Sequence, residues 1–223
     1  MAEFAVIFDV DGVLIDSYQA HFESWKRLFR EQGRDYSLPE FVWGFGRTSR
    51  EVLARQWPAP ASDKEIDEIA ARKEAYYREI VAADFPAIDG ARELICALAD
   101  AGVPIAVGSS GPPPNVQLVI EKLGVQPLIQ TVITGADVER GKPDPQVFQL
   151  AGAGLKMKPE RCIVIEDAPV GIEAARAAGM KCVGLASTGR TVEELQAANL
   201  IVRTLRDVTP ERLGAIADGK EQH

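Results

Sequence analysis

Histidine is almost missing from this chain: His21 and His223 are the only two among 223 residues. A site built on several imidazoles is excluded, and any metal must be held mainly by oxygen, which favours magnesium over zinc. Cysteine is nearly as scarce. Cys96, Cys162 and Cys182 lie far apart with no CxxC pair; each falls in an apolar segment and reads as a small core residue, and reduced thiols suit a cytoplasmic setting. Positive charge is in deficit, with 25 Lys and Arg against 33 Asp and Glu for a formal charge of −8. That balance argues against nucleic acid or an anionic membrane as a general partner, since both call for a basic face that displaces counterions. Neither a basic-plus-apolar leader nor an apolar run of about 18 residues occurs, so secretion and membrane spanning are not expected. An anionic partner must be met by local charge, from a metal and one or two well-placed lysines.

Against these absences stands the N-terminal stretch. Phe4-Ala5-Val6-Ile7-Phe8 is a continuous apolar run, the pattern of a strand buried on both faces of a parallel sheet. Asp9 and Asp11 follow, with Gly12 to let the backbone turn. Strand carboxyl ends are where open α/β sheets bind ligands. Acids this close repel, so a divalent cation or a shared proton is the reason for them to coexist. An ordinary turn is the bland alternative, because Asp and Gly are common after strands.

Helical spacing then takes over. Phe22, Trp25, Leu28 and Phe29 predict a helix from Tyr18 to about residue 32, with Asp16 or Ser17 as its N-cap. Further helices are expected from Leu38-Pro39, from Arg47 to Trp57 before Pro58-Ala59-Pro60, and from the capping box Ser62-Asp63-Lys64-Glu65 to about Ala83. No strand signal interrupts them, so residues 16–86 read as an inserted all-helical cap. Residues 1–15 and 87–223 read as an α/β core, a doubly wound parallel sheet. Its further strands are Val103 to Gly108, Thr131 to Gly135, Cys162 to Ile165, Met180 to Leu185 and Leu200 to Val202, with helices between them and from about Val192 and Pro210.

Four strand ends deliver polar residues: Asp9 and Asp11, then Ser109 and Ser110, then Lys142 in Gly141-Lys142-Pro143-Asp144, then Glu166 and Asp167. Ser109 and Ser110 also precede a helix start, a natural place for an anion. In a parallel sheet these ends gather along one edge, and the inventory is that of phosphoryl transfer. Carboxylates hold Mg²⁺; Asp9 can attack phosphorus, Asp11 can shuttle the proton, and Ser109 and Lys142 can hold phosphate oxygens. Taken singly, Lys142 reads as a solvated loop lysine and Glu166-Asp167 as a helix cap.

These stretches, Asp9-Val10-Asp11-Gly12-Val13-Leu14-Ile15-Asp16-Ser17, Val107-Gly108-Ser109, Gly141-Lys142-Pro143-Asp144 and Glu166-Asp167-Ala168-Pro169-Val170-Gly171-Ile172, resemble in order and spacing the four motifs of the haloacid dehalogenase-like hydrolase superfamily. The resemblance implies Asp9 as nucleophile, Asp11 as general acid/base, Ser109 and Lys142 as phosphate ligands, and Asp9, Asp11, Glu166 and Asp167 around Mg²⁺. It implies that dehalogenation is not the reaction, because dehalogenating members lack an acid at the position of Asp11. Within the superfamily the chain looks like the β-phosphoglucomutase-like branch. His21 and Lys73 fall where sugar mutases carry cap residues that touch the catalytic acid or the substrate, and Arg47 and Arg50 lie near the position of a phosphate-gripping cap arginine. Gly12 and Ser110 complete the expected substrate contacts. By helical patterning alone Lys73 is a solvent-facing lysine, and Gly111-Pro112-Pro113 replaces the side-chain donors that mutases carry there. The expected enzyme is a phosphatase acting on a small phosphorylated metabolite, as monomer or dimer; a phosphosugar mutase and a non-enzymatic metal-dependent sensor are the rivals.

Overall fold

The apolar run that opens the chain forms β1 (Ala5–Phe8), buried at every residue. The runs ahead of the serines and of the Glu-Asp pair do the same, as β2 (Ile105–Gly108) and β4 (Cys162–Glu166); continuous apolar character without alternation is what a strand covered on both faces requires. With β3 (Thr131–Ile133), β5 (Lys181–Leu185) and β6 (Leu200–Val202) they make a six-stranded sheet in the order β3-β2-β1-β4-β5-β6, parallel at every pairing. Phe8 lies opposite both Val107 and Ile165. The chain leaves β1 toward β2 and β3, then crosses to β4 on the other side of β1. The direction of winding therefore reverses between β1 and β4, which opens a crevice beyond their carboxyl ends. The computed structural model describes residues 3–45, 48–58, 62–187 and 189–220.

The chain divides into two units, Met1–Asp16 with Pro86–His223, and Ser17–Phe85. The second holds α1 (Tyr18–Arg30), α2 (Leu38–Gly44), α3 (Ser49–Gln56) and α4 (Asp63–Ala83). Its core is aromatic: Trp25, Phe29, Tyr36 and Phe41 are buried with Val52 and Leu53, and the rings of Phe29 and Tyr36 stack at 4.6 Å. Capping boxes start three of the four helices, at Ser37/Glu40, Thr48/Glu51 and Ser62/Glu65. Only the last was expected. Ser17 stands at the N-cap of α1 as expected but makes no side-chain cap bond.

In the sheet unit, α5 (Ala91–Asp100) packs with α9 (Pro210–Ala217), against β2 and β4 respectively. The unit also holds α6 (Pro113–Leu123), α7 (Gln146–Gly154), which packs on β1, β2 and β3, and α8 (Pro169–Ala177), which packs on β4 and β5. Phe148 of α7 and Ile172 of α8 join Ile7 and Val164 in one apolar core cluster. The helix expected from about Val192 is a single 3₁₀ turn, Glu193–Leu195; β6 begins too soon afterwards for an α-helix to grow. No helix among the described residues is long and apolar enough to cross a membrane. Arg47, Ala59, Pro60 and His223 lie outside the described residues.

Candidate active site

The crevice between β1 and β4 is filled by acid. Asp9 follows β1 directly, and its N–H donates to Ile165 O at 3.0 Å, carrying the β1–β4 ladder one residue past the strand. Glu166 ends β4, and Asp167 follows. All three are buried, and one oxygen from each lies within 4.8 Å of the others. Two glycines make this approach possible. A Cβ on Gly171, in the first turn of α8, would run into the Glu166 carboxylate, and one on Gly12 would run into that of Asp167. Gly12 also has φ +80°, the left-handed region that side chains with a Cβ avoid.

Lys142 is the cation at the centre. Its Nζ donates to Asp9 Oδ1 at 2.6 Å and to Glu166 Oε1 at 2.7 Å, and it lies 4.6 Å from the centre of the Phe148 ring. The remaining Glu166 oxygen accepts from the Ala168 N–H at 2.7 Å. One ammonium does not balance three acids. Burial drives the Asp9 carboxyl up to about 7; Lys142 works against this, while Glu166 and Asp11 add to it. Asp167 is pushed well above the usual carboxylate range, by burial first and then by Glu166 and Asp9. Burial alone would depress the Lys142 ammonium, but Asp9 and Glu166 outweigh it and hold it above its ordinary value. Buried oxygen donors in excess of positive charge are the donor set of a hard divalent cation.

Ser109 stands at the end of β2, with its N–H bonded to Ile133 O at 3.0 Å and its Oγ accepting from the Gly111 N–H at 3.0 Å. The helix start that follows, expected with Ser109 and Ser110 to be a natural place for an anion, has few N–H groups to offer. Pro112, Pro113 and Pro114 occupy its N-cap and first two positions and have no N–H, while the N–H groups of Asn115 and Val116 both return to Pro112 O, at 3.0 and 3.3 Å. The Ser109 hydroxyl and the exposed Ser110 are donors at this strand end. Asp11 stands near them: its Oδ2 would be 3.8 Å from a Cβ at Gly111. Its carboxylate is outside the three-acid cluster.

Asp144 serves the loop, accepting from the Gln146 N–H at 3.1 Å and pairing with Arg140 at 3.0 Å. In the helical unit, Lys73 is not the solvent-facing residue that patterning predicts. It is 3% exposed, its Nζ lies 2.8 Å from His21 Nδ1 and 2.9 Å from Glu74 Oε1, and the rings of Trp25 and Tyr77 flank it. Arg50 is tied to Asp63 and Asp67, at 2.5 Å each, on exposed surface. Sequence reasoning missed Phe148 beneath Lys142 and Arg190, whose Nε stands 3.9 Å from Asp167 Oδ2; the latter's position after β5 was its one available signal.

Residues 5–179 match the model of the haloacid dehalogenase-like hydrolases. The chain is 37% identical over 211 residues to a validoxylamine A 7'-phosphate phosphatase of Streptomyces hygroscopicus subsp. limoneus, covering 93% of this chain and 97% of that protein. It is 31% identical to a β-phosphoglucomutase of Bacillus subtilis, covering 94% and 93%. Among solved structures, a HAD hydrolase of family IA, variant 3, from Entamoeba histolytica superposes with a TM-score of 0.88 at 30% identity, covering 96% of this chain and 99% of that one.

Proposed function

The chain belongs to the haloacid dehalogenase-like hydrolases, in their β-phosphoglucomutase-like branch, and from this we propose that it is a Mg²⁺-dependent phosphatase working through an aspartyl-phosphate on Asp9. The substrate is a small phosphorylated metabolite or sugar phosphate. The observation that carries the reading is Asp9 itself, buried, bonded through one oxygen to Lys142, and grouped with Glu166 and Asp167.

Lys142 fixes Asp9 through Oδ1, which leaves Oδ2 to attack phosphorus while the bond to the ester oxygen breaks. Asp11 gives its proton to that departing oxygen. It then takes a proton from water as the water oxygen attacks phosphorus, releasing inorganic phosphate and restoring Asp9. The Ser109 hydroxyl, beside Asp11, donates to a phosphoryl oxygen. Bound Mg²⁺ would supply Lewis-acid polarisation of the phosphoryl group, with Asp9 and Asp167 as its carboxylate ligands and Glu166 beside them. Specificity is assigned to the helical unit, residues 16–86, with His21 and Lys73 as candidate contacts. Free Cys96, Cys162 and Cys182 favour a cytoplasmic setting.

Asp9→Asn tests the nucleophile. With an aryl phosphate and magnesium, kcat should fall by about 10³-fold or more; a variant keeping a tenth of wild-type turnover would end the proposal. A phosphosugar mutase is the second reading, favoured by the similarity to β-phosphoglucomutase. The ties of Arg50 to Asp63 and Asp67 and the proline-rich loop, poor in N–H groups, leave fewer donors for a second phosphate and favour hydrolysis. With β-glucose 1-phosphate and a bisphosphate activator, inorganic phosphate is the expected product; glucose 6-phosphate in excess of it would reverse the order of the two readings.

A further inference from the structure

Asp167 is held differently from the other acids of its cluster. Asp9 accepts from Lys142, and Glu166 from both Lys142 and the Ala168 N–H. Among the described residues the cation paired with Asp167 is Arg190, at 3.9 Å. Arg190 belongs to the connection between β5 and β6, and its side chain is 23% exposed. Its N–H donates to Ser187 O at 3.1 Å. The next residue opens a reciprocal cap, in which the Thr191 N–H donates to Glu194 Oε2 at 2.8 Å and the Glu194 N–H to Thr191 Oγ1 at 3.4 Å. The turn Glu193–Leu195 then carries Leu195, fully buried, into the apolar core with Ala198. The connection is thus anchored on both sides of Arg190, at the strand end neighbouring that of β4.

Glu194 flanks the guanidinium on another side, with Oε1 3.8 Å from Nη1. Neither contact is a close hydrogen bond, so Arg190 acts on Asp167 as a placed charge. We propose that Arg190 is a positioning residue, which keeps the Asp167 carboxylate beside Asp9 and Glu166 as a ligand for the divalent cation. This rests on the metal reading of the acidic cluster. Three like charges within 4.8 Å of one another repel, and Asp167, whose partner among the described residues is a guanidinium 3.9 Å away and not a close donor, yields most readily. A guanidinium alongside offsets that repulsion while leaving the carboxylate oxygens unclamped.

Mg²⁺ binding to the full chain, measured by titration calorimetry on wild type, Arg190→Gln, Arg190→Lys and Glu194→Gln, is the test. Arg190→Gln should weaken Mg²⁺ by about tenfold, the lower end of the range for groups that orient metal ligands, while Arg190→Lys should stay within about threefold of wild type. Glu194→Gln should bind as wild type does. Undiminished or tighter binding by Arg190→Gln would overturn the inference, since the arginine would then be a competing cation. So would equal losses in the glutamine and lysine variants. A lowered Tm in EDTA with unchanged Mg²⁺ affinity would assign Arg190 a purely structural role and would also overturn it. No binding by wild type would instead overturn the metal reading itself.

Discussion

Lys142 bridges Asp9 and Glu166 at 2.6 and 2.7 Å with 7% of its side chain exposed, so its removal strands two buried carboxylates without a counter-charge. Lys142→Met should cost about 3–5 kcal/mol of unfolding free energy, the usual loss when one partner of a buried pair is deleted. Urea denaturation in EDTA checks this, and a loss below about 1 kcal/mol, the range of exposed pairs, would mean the bridge is not formed in solution. Gly171→Ala makes a different case: its Cβ meets the Glu166 carboxylate, so Glu166 must turn away from Lys142. We expect phosphatase turnover to fall by about tenfold or more while the helix, which gains alanine, stays folded by circular dichroism. Asp9, Glu166 and Asp167 were legible because each stands at or just past the end of an apolar strand and carries charge that folding does not ask for. Lys73 was not, since its partners His21, Trp25 and Tyr77 come together only when α1 packs on α4. Periodicity places a residue on a helix face without saying what faces it.

Elements announced themselves where local chemistry decided them. The strands β1, β2 and β4 are buried along their whole length, and an uninterrupted apolar run of that size has few other uses. The start of α4 was equally readable from Ser62 and Glu65, where the Glu65 carboxylate accepts the Ser62 N–H at 2.8 Å and the Ser62 hydroxyl accepts the Glu65 N–H at 3.4 Å. Ser62→Ala should lower stability by about 1 kcal/mol, seen as a shift of the urea midpoint with no change in slope; an unchanged midpoint would show that α4 is held by packing alone. Where tertiary demands set the outcome, the reading failed. The segment after Val192 has helix-forming residues, yet it closes as one turn because Leu195 must be buried and β6 must start at Leu200. The shortage of N–H groups at the start of α6 was already present in the letters: three consecutive prolines supply none.

At the scale of the molecule, alternation of strand and helix announced a doubly wound sheet but not the order in which strands lie. That order, with β1 between β2 and β4, brings residues 9 and 166 together, and it depends on crossovers that leave no local mark. Its consequence is a fold that concentrates acid at one point and carries the cost when no cation is present. Because burial raises Asp9 to about 7 and lifts Asp167 well above its ordinary range, the folded protein binds protons there more tightly than the unfolded chain does. Stability in EDTA should therefore fall as pH rises from about 4, where unfolded aspartates ionise, through about 7, where folded Asp9 does. A bound cation needs these carboxylates ionised, so its affinity rises over the same window and its stabilisation grows with it. The difference in Tm between saturating magnesium and EDTA should accordingly be small near about pH 5 and larger near about pH 8. Calorimetric scans at the two pH values measure it directly, and a magnesium effect that shrinks with rising pH would show that the cation is not held by these acids.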